Sequence, residues 1–220
     1  MEKERHVLVV LPHPDDEAFG VSGSLAAYVA YGTTVTYACL TLGEMGRHMG
    51  TPPFANRETL PLFRKKELQN SVKAIGIQDL RMLGYRDKTI EFEDEEKLIR
   101  DISAIINEVK PSLVISFYPG YAVHPDHDAT GAAVVKAVGR LDENNRPKLY
   151  CIAFANRCEE EIGQPDIIHD VTPFAQKKLA AILSHQSQAQ LMAGLAEKYQ
   201  QGIPEVIARI HFERFWTYQF

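Results

Sequence analysis

Short, wholly apolar runs alternate along this chain with stretches in which apolar residues return every three or four positions. Val7–Leu11 has no polar member, the pattern of a central parallel strand buried on both faces. Leu25 and Val29 follow at helical spacing, and Gly32 ends that helix. Thr34–Leu42 is β-branched and aromatic and reads as a second strand. Met45–Pro61 is rich in glycine and proline and has no clear period, so it reads as a long functional loop of the kind that forms lids or binding loops. Leu68, Val72 and Ile75 mark a helix closed by Gly76, and Leu80–Leu83 a short strand. Leu98, Ile102, Ile105, Ile106 and Val109 form an amphipathic stripe stopped by Lys110-Pro111. Ser112–Tyr118 is the next buried strand, Ala129–Leu141 a helix of small residues, and Leu149–Ala155 and Ile167–Val171 are further strands. Thr172-Pro173 opens a helix, with Thr172 as its cap and Leu179, Ile182 and Leu183 facing inward. Strands alternating with helices predict an α/β layered fold with a mostly parallel central sheet and helices on both faces.

Composition adds limits. At 220 residues, 45% hydrophobic and 24% charged, the chain is long enough for one well-cored domain spanning 1–220. Twenty-nine acids against 24 bases give no basic surface for nucleic acid or anionic lipid. The apolar run near the start is too short to cross a bilayer, and the first six residues lack the features of a signal peptide. Three cysteines, none in a C-x-x-C spacing, suit a reduced cytoplasmic compartment.

Two polar clusters follow two of the most apolar strands: His13-Pro14-Asp15-Asp16-Glu17 and His124-Pro125-Asp126-His127-Asp128. In open α/β sheets, ligands bind beyond the carboxyl ends of the strands. If the chain turns helical at each cluster, His13 shares a face with Asp16, and His124 with His127. Imidazole and carboxylate are the ligand set of a catalytic zinc, which takes three protein ligands and keeps one open position. Any three of these four groups would serve, with carboxylates left over to take a proton from the metal's water. A lone HPDD also reads as a helix cap with acids in the first turn, but a second His-x-x-His at another strand end does not. A two-metal phosphoesterase remains the alternative enzyme class, and a metal sensor without turnover the alternative outside catalysis.

The blocks Pro12–Glu17, Ser22-Gly23-Ser24-Leu25, Thr41-Leu42-Gly43-Glu44, Arg64-x-x-Glu67-Leu68, His124–His127 and His185-Gln186-Ser187-Gln188 resemble, in order, those of the LmbE/PIG-L family of zinc N-deacetylases. The resemblance covers nearly the whole chain and implies a Rossmann-like fold and hydrolysis of an N-acetylglucosaminyl conjugate. The Gly43–Arg47 segment and the compact chain look most like the branch that deacetylates GlcNAc-malate for bacillithiol synthesis. Carried over, the pattern makes His13, Asp16 and His127 the ligands of one Zn2+ per chain, with Fe2+ as an alternative metal in the cell. Asp15 becomes the general base, His124 the charged partner of the oxyanion or leaving amine, and Asp126 the residue that orients His124. A homo-oligomer, a hexamer on the family pattern, is implied as well. Some relatives carry Tyr where this chain has Ala122; Tyr121, one position earlier, is the candidate for that oxyanion contact. Ser22 stands where Gly-Gly is usual.

Other signals are local. Arg57 and Arg64 flank the long loop and suit bidentate recognition of a substrate carboxylate, with Arg47 a weaker candidate, so an anionic conjugate is expected over a neutral sugar. Glu44 ends a strand and reads either as a partner for a sugar hydroxyl or as a loop cap. His185 reads as substrate-proximal or as a satisfied helix-end histidine. His6, His169 and His211 read as packing or surface residues, and Phe212, Phe215 and Trp216 as core or subunit-interface aromatics.

Overall fold

The computed structural model describes residues 1–188 and 194–220. Its elements run β1 (His6–Leu11), α1 (Asp16–Gly20), α2 (Ser22–Ala30), β2 (Thr34–Cys39), α3 (Leu60–Ile75), β3 (Asp79–Met82), α4 (Glu95–Val109), β4 (Leu113–Phe117) and α5 (Pro125–Gly139). After these come β5 (Lys148–Ile152), α6 (Cys158–Glu161), β6 (Ile167–Asp170), α7 (Ala175–Leu183), α8 (Leu195–Gln200), α9 (Pro204–His211) and β7 (Phe212–Thr217). The sheet order is β3-β2-β1-β4-β5-β7-β6, and β7 runs antiparallel to both its neighbours. The α/β layered fold with a mostly parallel sheet is therefore observed.

β1 explains the layering. Val7, Val9 and Leu11 enter one core, with Leu25 of α2, Leu68 and Ile75 of α3 and Leu179 and Ile182 of α7. Leu8 and Val10 enter a second core on the opposite face, with Ile99, Ile102 and Ile106 of α4 and Val134 and Val138 of α5. A strand covered by helices on both sides has no solvent face, hence its unbroken apolar run. β1 pairs with β2 on one side and β4 on the other, so the order of strands reverses at the β1/β4 pair. Ligands collect at such a crevice, and both polar clusters leave their strands there.

Several boundaries differ from the sequence pattern. The second strand stops at Cys39, and Leu40 and Thr41 instead bond back to the chain leaving β1 through Leu11 O and Pro12 O. The helix expected from Ala129 starts at Pro125, which occupies its first turn, with His124 as N-cap. Gly131 lets this helix close on β4, since a Cβ there would lie 2.4 Å from Phe117 O. Val171, rather than Thr172, precedes the short 3-10 turn that leads into α7. Leu183, expected to face inward, is exposed at the end of α7, whose buried face is carried by Leu179, Ala181 and Ile182. Met45–Ala55 is irregular as expected, but α3 begins at Leu60 and takes Pro61 into its first turn. β7 was not legible: its alternation of buried and exposed residues is short and runs straight on from α9. No helix among the described residues is long and apolar enough to cross a membrane. Cys39, Cys151 and Cys158 are free and buried.

Candidate active site

The β1–α1 turn presents His13, Asp15 and Asp16, and the β4–α5 turn presents His124, Asp126 and His127. Three side chains converge between them. His13 Nδ1 lies 3.1 Å from His127 Nε2 and 3.4 Å from an Asp16 oxygen, and His127 Nε2 lies 3.3 Å from the other Asp16 oxygen.

The other nitrogen of each ring is already committed. His13 Nε2 faces Asp126 at 3.1 Å and Asp87 at 3.2 Å, while His127 Nδ1 donates to Ala122 O at 2.9 Å. Neutral rings fixed this way turn two acceptor nitrogens and a carboxylate toward one point. Acceptors at that spacing repel unless a cation lies among them. Tetrahedral bonds of 2.0–2.1 Å would place ligand atoms about 3.3 Å apart, so this donor set fits a small divalent metal. In metal-free protein a proton answers the same crowding. Burial opposes charge on His13, yet Asp126, Asp16 and Asp87 outweigh it and raise its pKa well above the ordinary value. Burial likewise works against ionised Asp16, but His127 and His13 hold its carboxyl far below the usual range.

Asp15 sits beside this triad under strain. Its φ of 116° is in the left-handed region, which costs a non-glycine residue about 1–3 kcal/mol and persists only where the surroundings enforce it. Two buried groups do so. Its N–H donates to Glu17 at 3.0 Å, and its carboxylate accepts from Arg64 at 2.8 Å. Glu17 is fully buried and also accepts from Ser71, Tyr37 and His185. Burial raises the Asp15 pKa, with Arg64 pulling the other way.

Arg64 is thus placed differently from its reading as a substrate contact. It is 4% exposed and also donates to Pro14 O and Gly43 O, so its charge is spent inside the protein. Gly43 makes room for it: a Cβ there would fall 2.1 Å from the guanidinium. Arg57 is exposed and donates to Gly46 O at 2.6 Å, tying the loop to itself. Arg47 is exposed on the same loop.

Asp126 is also placed differently. Its carboxylate takes His13 and the N–H groups of Lys88 and Ile90, so it steadies His13 rather than His124. His124 meets it only through the backbone, its Nδ1 accepting from Asp126 N at 3.2 Å. That leaves Nε2 as the protonated nitrogen of the neutral ring. Burial, followed by His13 and His127, lowers the His124 pKa, which favours a neutral donor over the charged partner expected. Tyr121 packs its ring on Tyr118 at 5.5 Å, with Glu161 beside its hydroxyl, and belongs to a cluster with Trp216 and Cys158 rather than to the triad. Glu44 accepts from Asp87 N at 3.0 Å, and its second oxygen is buried without a partner among the described residues.

Asp87 was not foreseen. It is 3% exposed and bonds both His13 and Met45 N. The signal was its position just beyond β3, at the same sheet edge. His185 is buried and pairs with Glu17 through Nε2 at 2.8 Å, while its Nδ1 has no partner among the described residues. His6, His169 and His211 bond Thr36, Ser24 and Tyr199.

A cleft of about 850 Å3 opens from Asp16, walled by Phe117, Phe154, Phe19 and Phe212 and by residues of α9 and β7. Phe117 stacks on His127 with ring centres 4.1 Å apart, and Phe154 lies 5.9 Å from the same ring. The cleft thus joins the metal-type centre to an aromatic surface.

With that geometry in view, residues 8–138 match the family model described as PIG-L, GlcNAc-PI de-N-acetylase. The chain belongs to the PIG-L family. A Bacillus anthracis protein named probable N-acetyl-alpha-D-glucosaminyl L-malate deacetylase 2 is 52% identical over 100% of this chain and 98% of its own. Among solved PIG-L-like folds, N,N'-diacetylchitobiose deacetylase from Pyrococcus horikoshii superposes with a TM-score of 0.77 at 23% identity, covering 98% of this chain and 84% of that one. A 4-carboxy-2-hydroxymuconate hydratase from Pseudomonas putida gives 0.72 at 19%, covering 98% and 97%. A hydratase on the same fold shows that PIG-L architecture alone does not choose the chemistry; the site must.

Proposed function

We propose that this protein hydrolyses the N-acetyl group of an N-acetylglucosamine conjugate, GlcNAc-malate by likeness to its Bacillus relative, within bacillithiol biosynthesis. The observation that carries the reading is the convergence of His13 Nδ1, His127 Nε2 and the Asp16 carboxylate beside a strained, partly buried Asp15 at the mouth of an aromatic cleft.

His13, Asp16 and His127 would hold one zinc ion, or Fe2+ in the cell. Bound there, such a metal lowers the pKa of water from 15.7 to about 7 and polarises a carbonyl. Asp15 takes the proton of the attacking water at its carboxylate, which Arg64 and Glu17 keep in place. His124 donates a hydrogen bond from Nε2 to the oxygen that gains charge and keeps its proton, while Asp15 hands the proton it took from water to the departing nitrogen as the C–N bond breaks. Asp126 and Asp87 fix the tautomer of His13. Phe117 closes one face of His127 to water. Glu44, whose second oxygen is buried without a partner among the described residues, would have to turn that oxygen outward to meet a sugar hydroxyl. A single cytoplasmic domain that self-associates, as a hexamer on the family pattern, completes the reading. Exposed Leu62 and Phe63 on α3 and the neighbouring Phe54 give it apolar surface for that.

The test is acetate release from GlcNAc-malate by zinc-loaded protein. Stoichiometric acetate and free amine support the reading; no release from any N-acetylglucosaminide, with metal bound, overturns it.

A further inference from the structure

The expected reader of a substrate carboxylate was an arginine of the long loop, but Arg64 is buried on Asp15, Arg57 is turned onto Gly46 O, and Arg47 is exposed on the loop outside the lining of the cleft. The charges that line the cleft point elsewhere. They are Asp16, Lys178, Arg209, Glu213 and Arg214. Asp16 belongs to the metal-type centre. Lys178 and Glu213 form a buried pair at 2.7 Å, and Glu213 further accepts from the N–H groups of Gly23 and Ser24, so both charges are consumed within the wall. Arg214 is paired with Glu159 at 2.6 Å. Of the three cations in this set, Arg209 is the one without a carboxylate partner among the described residues. Its guanidinium lies 5.5 Å over the Phe19 ring, another residue of the cleft wall. A plain surface role, favouring the last turn of α9 by opposing its dipole, accounts for its charge but not for its place in the cleft.

We infer that Arg209 is the specificity-determining residue for an anionic aglycone. The sugar lies against Phe154, beside His127, and the carboxylate at the far end of the conjugate meets Arg209 over Phe19. The proposal rests on the deacetylase reading above and names the subsite that reading lacked. Two properties favour a carboxylate. Guanidinium binds it in a bidentate fork, and an apolar aromatic floor strengthens the contact by thinning the water around it.

The test compares kcat/KM for GlcNAc-malate with that for methyl N-acetylglucosaminide, in zinc-loaded wild type, Arg209→Gln, Arg209→Lys and Arg214→Gln. Calorimetric binding of glucosaminyl-malate, the product, runs in parallel. Arg209→Gln should lower the preference for the anionic substrate about 10- to 100-fold, the range of a charge-assisted hydrogen bond, and weaken product binding by a similar factor. Arg209→Lys should recover part of both. Arg214→Gln should change the ratio less than threefold. Zinc content and Tm show that each variant is folded. Equal loss on both substrates, or none, together with unchanged product binding, overturns the role of Arg209 and leaves the deacetylase reading standing. If wild type hydrolyses neither substrate, that reading fails instead. Product binding that does not respond to Arg209→Gln then overturns the anionic subsite as well.

Discussion

The two turns at the heart of the site share the letters His-Pro-Asp and the same three-residue spacing, yet they use them in opposite ways. At His13-Pro14-Asp15-Asp16 the first histidine points into the triad, and the chain then bends through a strained Asp15 before α1 begins. At His124-Pro125-Asp126-His127 the last histidine points into the triad, and the first caps α5 through its own ring nitrogen. The strain moves one residue ahead of the second motif, to Val123, whose φ is 66°. The third residue diverges most. Asp15 stays at the mouth under Arg64, while Asp126 is fully buried, with its oxygens taken by His13 and two backbone N–H groups. Where helix geometry begins relative to the proline decides which side chain becomes ligand, base or buttress.

The sharpest break of this contrast sets the two outer histidines against each other. His127→Ala should leave only a small fraction of the zinc bound at neutral pH, whereas His124→Ala should keep it; atomic emission on dialysed protein reads both. Equal zinc in the two would refute the assignment. Next comes the inner pair. Asp15→Asn should keep metal and fold but lose about 10²- to 10⁴-fold in kcat, the usual contribution of a general base. Asp126→Asn should do the reverse in kind and less in size, weakening metal affinity about 10- to 100-fold as outer-shell losses do. Competition with a chromogenic chelator separates the two outcomes.

The smallest effect concerns what lies behind each turn. Glu17 and His185 form a buried pair behind the first, and nothing comparable among the described residues backs the second. Burial opposes charge on both partners, but their attraction lowers the Glu17 pKa and raises that of His185. The Glu17 share of stability is therefore fully present above its ordinary 4.5 and is lost as pH falls through the depressed folded value. The His185 share is fully present below its ordinary 6.5 and is lost as pH climbs through the raised one. The gap in Tm between wild type and His185→Gln, measured at equal metal load, should thus be widest between about pH 4.5 and 6.5 and shrink on either side. A gap constant from pH 4 to 9 would show that the pair is not ionised.

The strand that carries the first turn was legible because β1 is buried on both sides and must be apolar throughout. The convergence of His13 with Asp16 was legible for a related reason: i and i+3 side chains share a helical face whatever the remaining fold does. The partners of Arg64 were not. Its 21-residue separation from Gly43 and 49-residue separation from Asp15 are set by how α3 packs, and no local period records that. Asp126 misled for the opposite reason: its neighbour in sequence, His124, is not its neighbour in space. The role of α9 and β7 was hidden because the cleft wall forms only when β7 enters the sheet.

That entry has a consequence for how the molecule is made. β6 at Ile167–Asp170 pairs with β7 at Phe212–Thr217, which lies between it and β5. Until β7 has been synthesised, β6 has no edge to join. Lys178 lacks its buried counter-charge, and the first amides of α2 lack the Glu213 acceptor. The aromatic cleft and the start of α2 are therefore completed together by a strand about 190 residues downstream of that helix's first residue. During translation the site is necessarily assembled late, and a ribosome-bound chain stopped short of Phe212 presents its ligand residues without a finished wall to select what approaches them.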